Sequence, residues 1–192
     1  MNAWNKVRQT QETKVSVTFY EHQPTQTKIK TGVGFFDHML TLFAFHAQIG
    51  LVIEAHGDLN VDDHHTVEDV GLVLGQVFYE AFQDKNGLKR YGFAYAPMDE
   101  SLARVVLDVS NRPLCVYNVA TTREKLGDLS VENVAEFFKA LAQEARFTVH
   151  IDSIRGINDH HQIEAVFKAF GLAFKEATTR QGDRLASTKG LL

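Results

Sequence analysis

The 192 residues, 44% hydrophobic and 23% charged, have the make-up of an ordinary folded protein with enough apolar content for a real core. Lys and Arg number 20 against 24 Asp and Glu, and a net charge of −4 argues against nucleic acid or an anionic membrane as partner, so an anionic ligand must be held by local cations. A single cysteine, Cys115, excludes an intrachain disulfide framework and any Cys-x-x-Cys motif; the opening MNAWNKVRQT lacks the apolar stretch of a signal peptide and no segment approaches the ~18 apolar residues of a spanning helix, so the cytoplasm is the expected location.

In chain order, alternation of apolar and polar residues predicts strands over 14–20 and 25–30. FFDHMLTLFAFHAQ (35–48) then reads as a helix and GLVIEAH (50–56) as a strand. Val67, Val70, Gly71, Leu74 and Phe78 recur at helical spacing and predict a helix over about 64–83. Strands are expected over 102–109 and 114–120, with 92–97 a further candidate. VENVAEFFKALAQEAR (131–146) is a helix, FTVHIDSI (147–154) a strand, and Ile163, Val166, Phe167, Phe170 and Phe174 mark a last helix over about 160–179.

The chain is written twice. Asp63-His64-His65-Thr66-Val67-Glu68 returns as Asp159-His160-His161-Gln162-Ile163-Glu164, 96 residues on, and a helix and a strand precede each copy. The predicted class is α+β, two tandem similar α/β halves (1–90 and 91–192), each a sheet covered by helices. No Pro/Gly/Ser linker separates them, so the halves should share an interface. Asp62 or Asp63, and Asn158 or Asp159, suit a helix N-cap, which puts both His-His pairs in a first helical turn.

Adjacent helical residues point ~100° apart, so one pair does not serve one ion and two neighbouring ions explain the doubling better. Glu68 and Glu164 come back to the faces of their histidines three and four residues on. Imidazole and carboxylate without thiolate suits Mn, Fe or Zn. His38 stands at the start of the first helix, and gap-free alignment of the halves sets Glu136 opposite it. His46, His56 and His150 have no repeat partner and read as structural.

Five motifs taken together, GVGFFDHML, DDHHTVEDVG, NRP, NDHHQIEAVFKAFGLAF and STKG, resemble the imidazoleglycerol-phosphate dehydratase family over essentially the whole chain. The resemblance implies two repeated halves like domain 2 of ribosomal protein S5, and a homo-oligomer of 24 subunits with active sites between chains. It implies two divalent ions per site, most often Mn2+, held by His38, His64, His65, Glu68, His160, His161 and Glu164 with position 136. Many members carry histidine there, in Glu-His-Phe-Phe, whereas this chain reads Ala135-Glu136-Phe137-Phe138. It also implies that Glu12 contacts substrate and that Arg90, Arg112, Ser187 and Lys189 hold its phosphate. Asp99 and Glu100 fall in a family-like segment but are given no catalytic role.

The implied reaction removes water from D-erythro-imidazole glycerol phosphate to give imidazole acetol phosphate in histidine biosynthesis, a hydro-lyase step. No carbonyl acidifies the carbon that loses its proton, so the imidazole ring must act as electron sink, which Lewis-acid ions on that ring would favour. Glu12, Glu68 or Glu164 is the expected proton carrier. Two readings from other classes stay open on the residues alone. A di-iron carboxylate oxidase would carry Glu-x-x-His on long bundled helices rather than His-x-x-Glu. A metal-fastened assembly protein would not need the phosphate-binding cations.

Overall fold

The computed structural model describes residues 2–192. The first half runs β1 (Ala3–Gln9), β2 (Thr13–Tyr20), a 3-10 turn at Pro24–Gln26, β3 (Lys28–Lys30), α1 (Gly34–Ala47), β4 (Gly50–Gly57) and α2 (His64–Ala81). After a short β5 (Asn86–Leu88), the second half runs β6 (Tyr91–Met98), β7 (Ser101–Asp108), β8 (Leu114–Asn118), the small hairpin β9 (Lys125–Leu126) and β10 (Leu129–Ser130), α3 (Glu132–Ala145), β11 (Thr148–Arg155) and α4 (Asp159–Thr178). A last strand, β12 (Arg180–Leu185), pairs back on β5.

The duplication read from the motifs is a duplication of topology. The sheets are ordered β1-β2-β4-β3 and β6-β7-β11-β8, and in both the first two pairings are antiparallel and the last parallel. Each sheet turns one apolar face inward: Val15, Val17 and Phe19 of β2 are buried while their alternate neighbours are not, as a half-buried antiparallel strand requires. The helices lie between the sheets, α2 on β1, β2 and β4, α4 on β6, β7 and β11, and they meet as α1 on α4 and α2 on α3. The expected shared interface is therefore the centre of the core. Phe43 packs on Phe170 at 4.9 Å and Phe78 on Phe174 at 4.6 Å between ring centroids, and burial of such a ring contributes about 1.5–3 kcal/mol.

Local chemistry sets the helix limits. α1 and α3 each end on a residue in the left-handed region, Gln48 (φ 58) and Arg146 (φ 56), whose N–H returns to carbonyls of the last turn. α1 and α4 approach through Gly171, where a side-chain carbon would lie 2.8 Å from the Phe43 carbonyl oxygen and 3.1 Å from the Ala47 nitrogen. Gly75 makes the same approach of α2 to α3, 2.7 Å from the Leu141 carbonyl oxygen and 3.0 Å from the Ala145 nitrogen.

One expected strand shortens, and strands form that no sequence pattern predicted. The strand expected over 25–30 is confined to Lys28–Lys30, because Pro24 has no N–H to give a ladder and starts the 3-10 turn instead. β1 was not expected, since its Trp4, Lys6 and Arg8 stripe carries too little apolar signal; full antiparallel pairing with β2, from Ala3↔Tyr20 to Gln9↔Lys14, makes it a strand. β12 likewise owes its form to β5 rather than to its own polar sequence.

Candidate metal centre and anion pocket

Both His-His pairs sit in a first helical turn, as the repeat predicts. Of the two capping candidates in each half, the earlier is used: Asp62 Oδ1 accepts the His64 N–H at 2.8 Å and Asn158 Oδ1 the His160 N–H at 2.9 Å. The following aspartates instead tie the helix starts to the loops before α3. Asp63 accepts from the N–H (2.8 Å) and Oγ (2.6 Å) of Ser130, and Asp159 from the N–H groups of Thr122 (2.9 Å) and Arg123 (2.7 Å). Burial pushes both carboxyls up, but these hydrogen bonds outweigh it and hold both below the usual carboxylate value.

Within each pair the rings diverge. The first histidines turn toward the other half: His160 Nε2 is 3.2 Å from Glu164 Oε2, and His38 Nε2, from α1, is 3.7 Å from the same oxygen. Donor atoms of His38, His160 and Glu164 all lie within 4.8 Å of one another. Glu164 is buried, and burial raises its pKa; Lys168 Nζ at 2.6 Å, followed by His160 and His38, brings it below the usual value, so it is a carboxylate. Two imidazoles and one anionic oxygen, without thiolate, are a donor set that fits a borderline to hard divalent cation.

The corresponding trio is not assembled in the same way. His64 Nδ1 meets Asn133 Oδ1 at 2.9 Å, and its Nε2 lies 3.9 Å from Glu68 Oε2. The matching contacts of Gly75 and Gly171 hold a constant offset between α3 and α1, which carries Glu136 to the place of His38. Glu136 is, however, paired with Lys139 Nζ at 2.7 Å, and among the described residues no second group gathers as tightly as that at Glu164.

The second histidines each stand between two carboxylates. His65 Nδ1 is 3.0 Å from Asp58 Oδ2, with Nε2 3.9 Å from Glu12 Oε1; His161 Nδ1 is 2.8 Å from Glu100 Oε2, with Nε2 3.8 Å from Asp99 Oδ2. Asp58 and Glu100 raise the two imidazole pKa values. A carboxylate on one ring nitrogen fixes the tautomer and leaves the other nitrogen free to ligate. The sequence reading did not single out Asp58, and it noted Glu100 without giving it a role. Glu12 sits in the β1–β2 turn, which is clamped to α2 by Asp69: buried, that carboxylate accepts from Thr13 Oγ1 and pairs with Arg8.

The four phosphate candidates meet elsewhere. Arg90, Arg112, Ser187 and Lys189 line one pocket of about 500 Å³ together with Tyr91 and Ser110. Arg90 is buried with φ 73, grips Asp108 through Nε (2.7 Å) and Nη2 (3.1 Å), and donates from Nη1 to the Ala186 carbonyl at 2.7 Å, which anchors the tail segment. Hydrogen bonding to Asp108 raises its pKa. Arg112 Nη2 reaches the same carboxylate at 3.2 Å but is largely exposed. Three cations against one carboxylate leave the pocket net positive, suited to an anion. No histidine lines it.

A family model for imidazoleglycerol-phosphate dehydratase matches residues 31–174, which span α1 to α4 with every histidine of the two pairs. The chain belongs to the imidazoleglycerol-phosphate dehydratase family. Among dehydratases so named, that of Bacillus cereus (strain B4264) is 51% identical over the full length of both chains, and that of Staphylococcus carnosus 49% identical over 99% of each. Solved dehydratases share the fold: that of Staphylococcus aureus superposes with a TM-score of 0.85 at 46% identity, covering 94% of this chain and all of the other. That of Pyrococcus furiosus, in complex with (S)-C348, gives 0.84 at 38% identity, covering 97% of this chain and all of the other. The duplicated α+β architecture is thus the dehydratase family's own.

Proposed function

We propose that this chain removes water from imidazoleglycerol phosphate to give imidazole acetol phosphate, a hydro-lyase step of histidine biosynthesis carried out in the cytoplasm on two divalent metal ions, Mn2+ by preference. The observation that carries the reading is the gathering of His38, His160 and Glu164 donors on one of two repeated His-His-x-x-Glu helix starts, in a chain of this family. Bound ions would supply Lewis acidity to the imidazole ring, making it the electron sink that the substrate otherwise lacks.

The residues have distinct tasks. His38, His160 and Glu164, with His64, His65, Glu68 and His161, offer the ligand atoms, and Glu136 completes the set by leaving Lys139. Glu12, more than half exposed and clamped by Asp69, is placed to carry a proton to or from the reacting carbons, with Glu68 and Glu164 as the other carboxylates in reach of the ligand histidines. Arg112, Ser187 and Lys189 bind the phosphate on a base of Arg90, whose own hydrogen bonds are committed to Asp108 and Ala186.

Metal ligands and anion pocket share no lining residue within one chain, and this supports sites completed between chains of a homo-oligomer, 24 subunits in the assembly, with 1–90 and 91–192 acting as one unit. The outer face of the second sheet supports association: Tyr91, Phe93 and Tyr95 are each more than half exposed on the β6 edge, and Leu114 and Val116 are exposed on the opposite, β8 edge. The test is the double variant Arg112→Met, Lys189→Met. It should lose at least about 100-fold in kcat/KM, as two charge-assisted contacts imply, while keeping metal content and oligomer size. Loss of assembly with unchanged turnover per folded chain would favour a purely structural metal.

A further inference from the structure

β1–β2 and β6–β7 are the same hairpin in the two halves, and the residue just before the second strand is a glutamate in both: Glu12 before Thr13, Glu100 before Ser101. The two carboxylates approach their histidines from opposite sides. Glu12 faces Nε2 of His65 at 3.9 Å, whereas Glu100 curls beneath its hairpin to Nδ1 of His161 at 2.8 Å. There it is fully engaged. Oε1 accepts the N–H groups of Ile157 (3.2 Å) and Asn158 (2.9 Å) and the Ser101 hydroxyl (3.1 Å), leaving Oε2 alone for the imidazole.

We infer that Glu100 is the positioning residue of the second half, fixing His161 as the tautomer that carries its proton on Nδ1 and presents Nε2, while tying the loop that leads into α4. An ionised carboxylate only accepts, so the nitrogen it faces must bear the proton. With three donors already on Oε1, a proton on that oxygen has no place, and Glu100 meets His161 as an acceptor. In the first half Asp58 fills this role for His65, which frees Glu12 for substrate. One hairpin position has thus been put to two uses. The inference rests on the proposed ligand role of His161, and the test separates the two.

Glu100→Gln is the informative variant. Ile157 and Asn158 each present an N–H to Oε1, so the amide must keep its oxygen there; its NH2 then faces His161 Nδ1, donates to it, and moves the ring proton to Nε2. Asp58→Asn is the control, because both Asp58 oxygens lie within 3.2 Å of His65 Nδ1 and the side chain meets no other donor among the described residues, so its amide rotates to keep an acceptor there. Solid-state 15N spectra of histidine-labelled, metal-free protein read the tautomers directly, and Mn2+ titration followed by electron paramagnetic resonance reads affinity. Glu100→Gln should convert one histidine from the Nδ1–H to the Nε2–H form and weaken Mn2+ binding about 10- to 100-fold, with Asp58→Asn leaving the histidine tautomers as in the wild type. A Glu100→Gln protein whose histidine spectrum matches the wild type overturns the inference. A converted tautomer with unchanged Mn2+ affinity upholds the positioning and overturns His161 as a ligand.

Discussion

Replacing Gly171 by alanine probes the contact on which the tightest ligand group depends. The added carbon would lie 2.8 Å from the Phe43 carbonyl oxygen, 2.9 Å from His46 Cβ and 3.1 Å from the Ala47 nitrogen. Ordinary contacts begin near 3.4 Å, and two of the three atoms are helical backbone, so α1 and α4 must part by about half an ångström rather than yield one side chain. Overpacking of this kind costs about 1–3 kcal/mol, and rigid partners argue for the upper end. Alanine in a helix returns about 1 kcal/mol, leaving a net loss of about 2 kcal/mol. For a chain this long that is a fall in Tm of about 4–8 °C, measurable by calorimetry on the metal-free protein. His38 rides on α1 and Glu164 on α4, 3.7 Å apart, so Mn2+ affinity should fall as well. Gly75→Ala, which parts α2 from α3 instead, should cost similar stability with less effect on that group. A Gly171→Ala protein of equal or higher Tm would refute the packing argument.

Further outcomes follow from the same geometry. Burial raises the Cys115 thiol to about 11 from an ordinary 9.0, so alkylation by iodoacetamide at pH 8 should run about 100-fold slower in the folded than in the urea-unfolded protein. Asp63 and Asp159 have folded pKa values below the unfolded 3.8, so the stability they contribute is present above that value and drains away as pH falls through the folded values. Urea midpoints should therefore drop steeply below about pH 4 in the wild type and less steeply in Asp63→Asn and Asp159→Asn, which lose about 1–3 kcal/mol at pH 7. Removing residues 187–192 takes Ser187 and Lys189 from the anion pocket and should raise KM at least about tenfold in steady-state assays, with Tm little changed.

Much of this was legible in the sequence because duplication states each feature twice. The paired His-His-x-x-Glu motifs carried their own placement: a capping Asp62 or Asn158, a helix behind it, a sheet beneath. The place of Glu136 opposite His38 followed from gap-free alignment, and the matched glycine contacts uphold that offset. Its pairing with Lys139 could not be read, since an i,i+3 ion pair and a ligand role use the same residue. β1 and β12 were hidden because their partners make them strands, not their own periodicity. Asp58 escaped notice and Glu100 was noted without a role for a related reason: hydrogen bonding to an imidazole 7 and 61 residues away leaves no spacing signature. Only aligning the hairpins, Glu12 on Glu100, marks the position. The buried Arg90–Asp108 pair, by contrast, is a long-range consequence of a left-handed Arg90 that no motif announces.

The most direct test of the central claim is product formation from imidazoleglycerol phosphate by metal-stripped protein, with and without added Mn2+. Imidazole acetol phosphate that accumulates only when Mn2+ is restored is the predicted result. Equal turnover by the stripped protein, or none with any divalent ion, would contradict it.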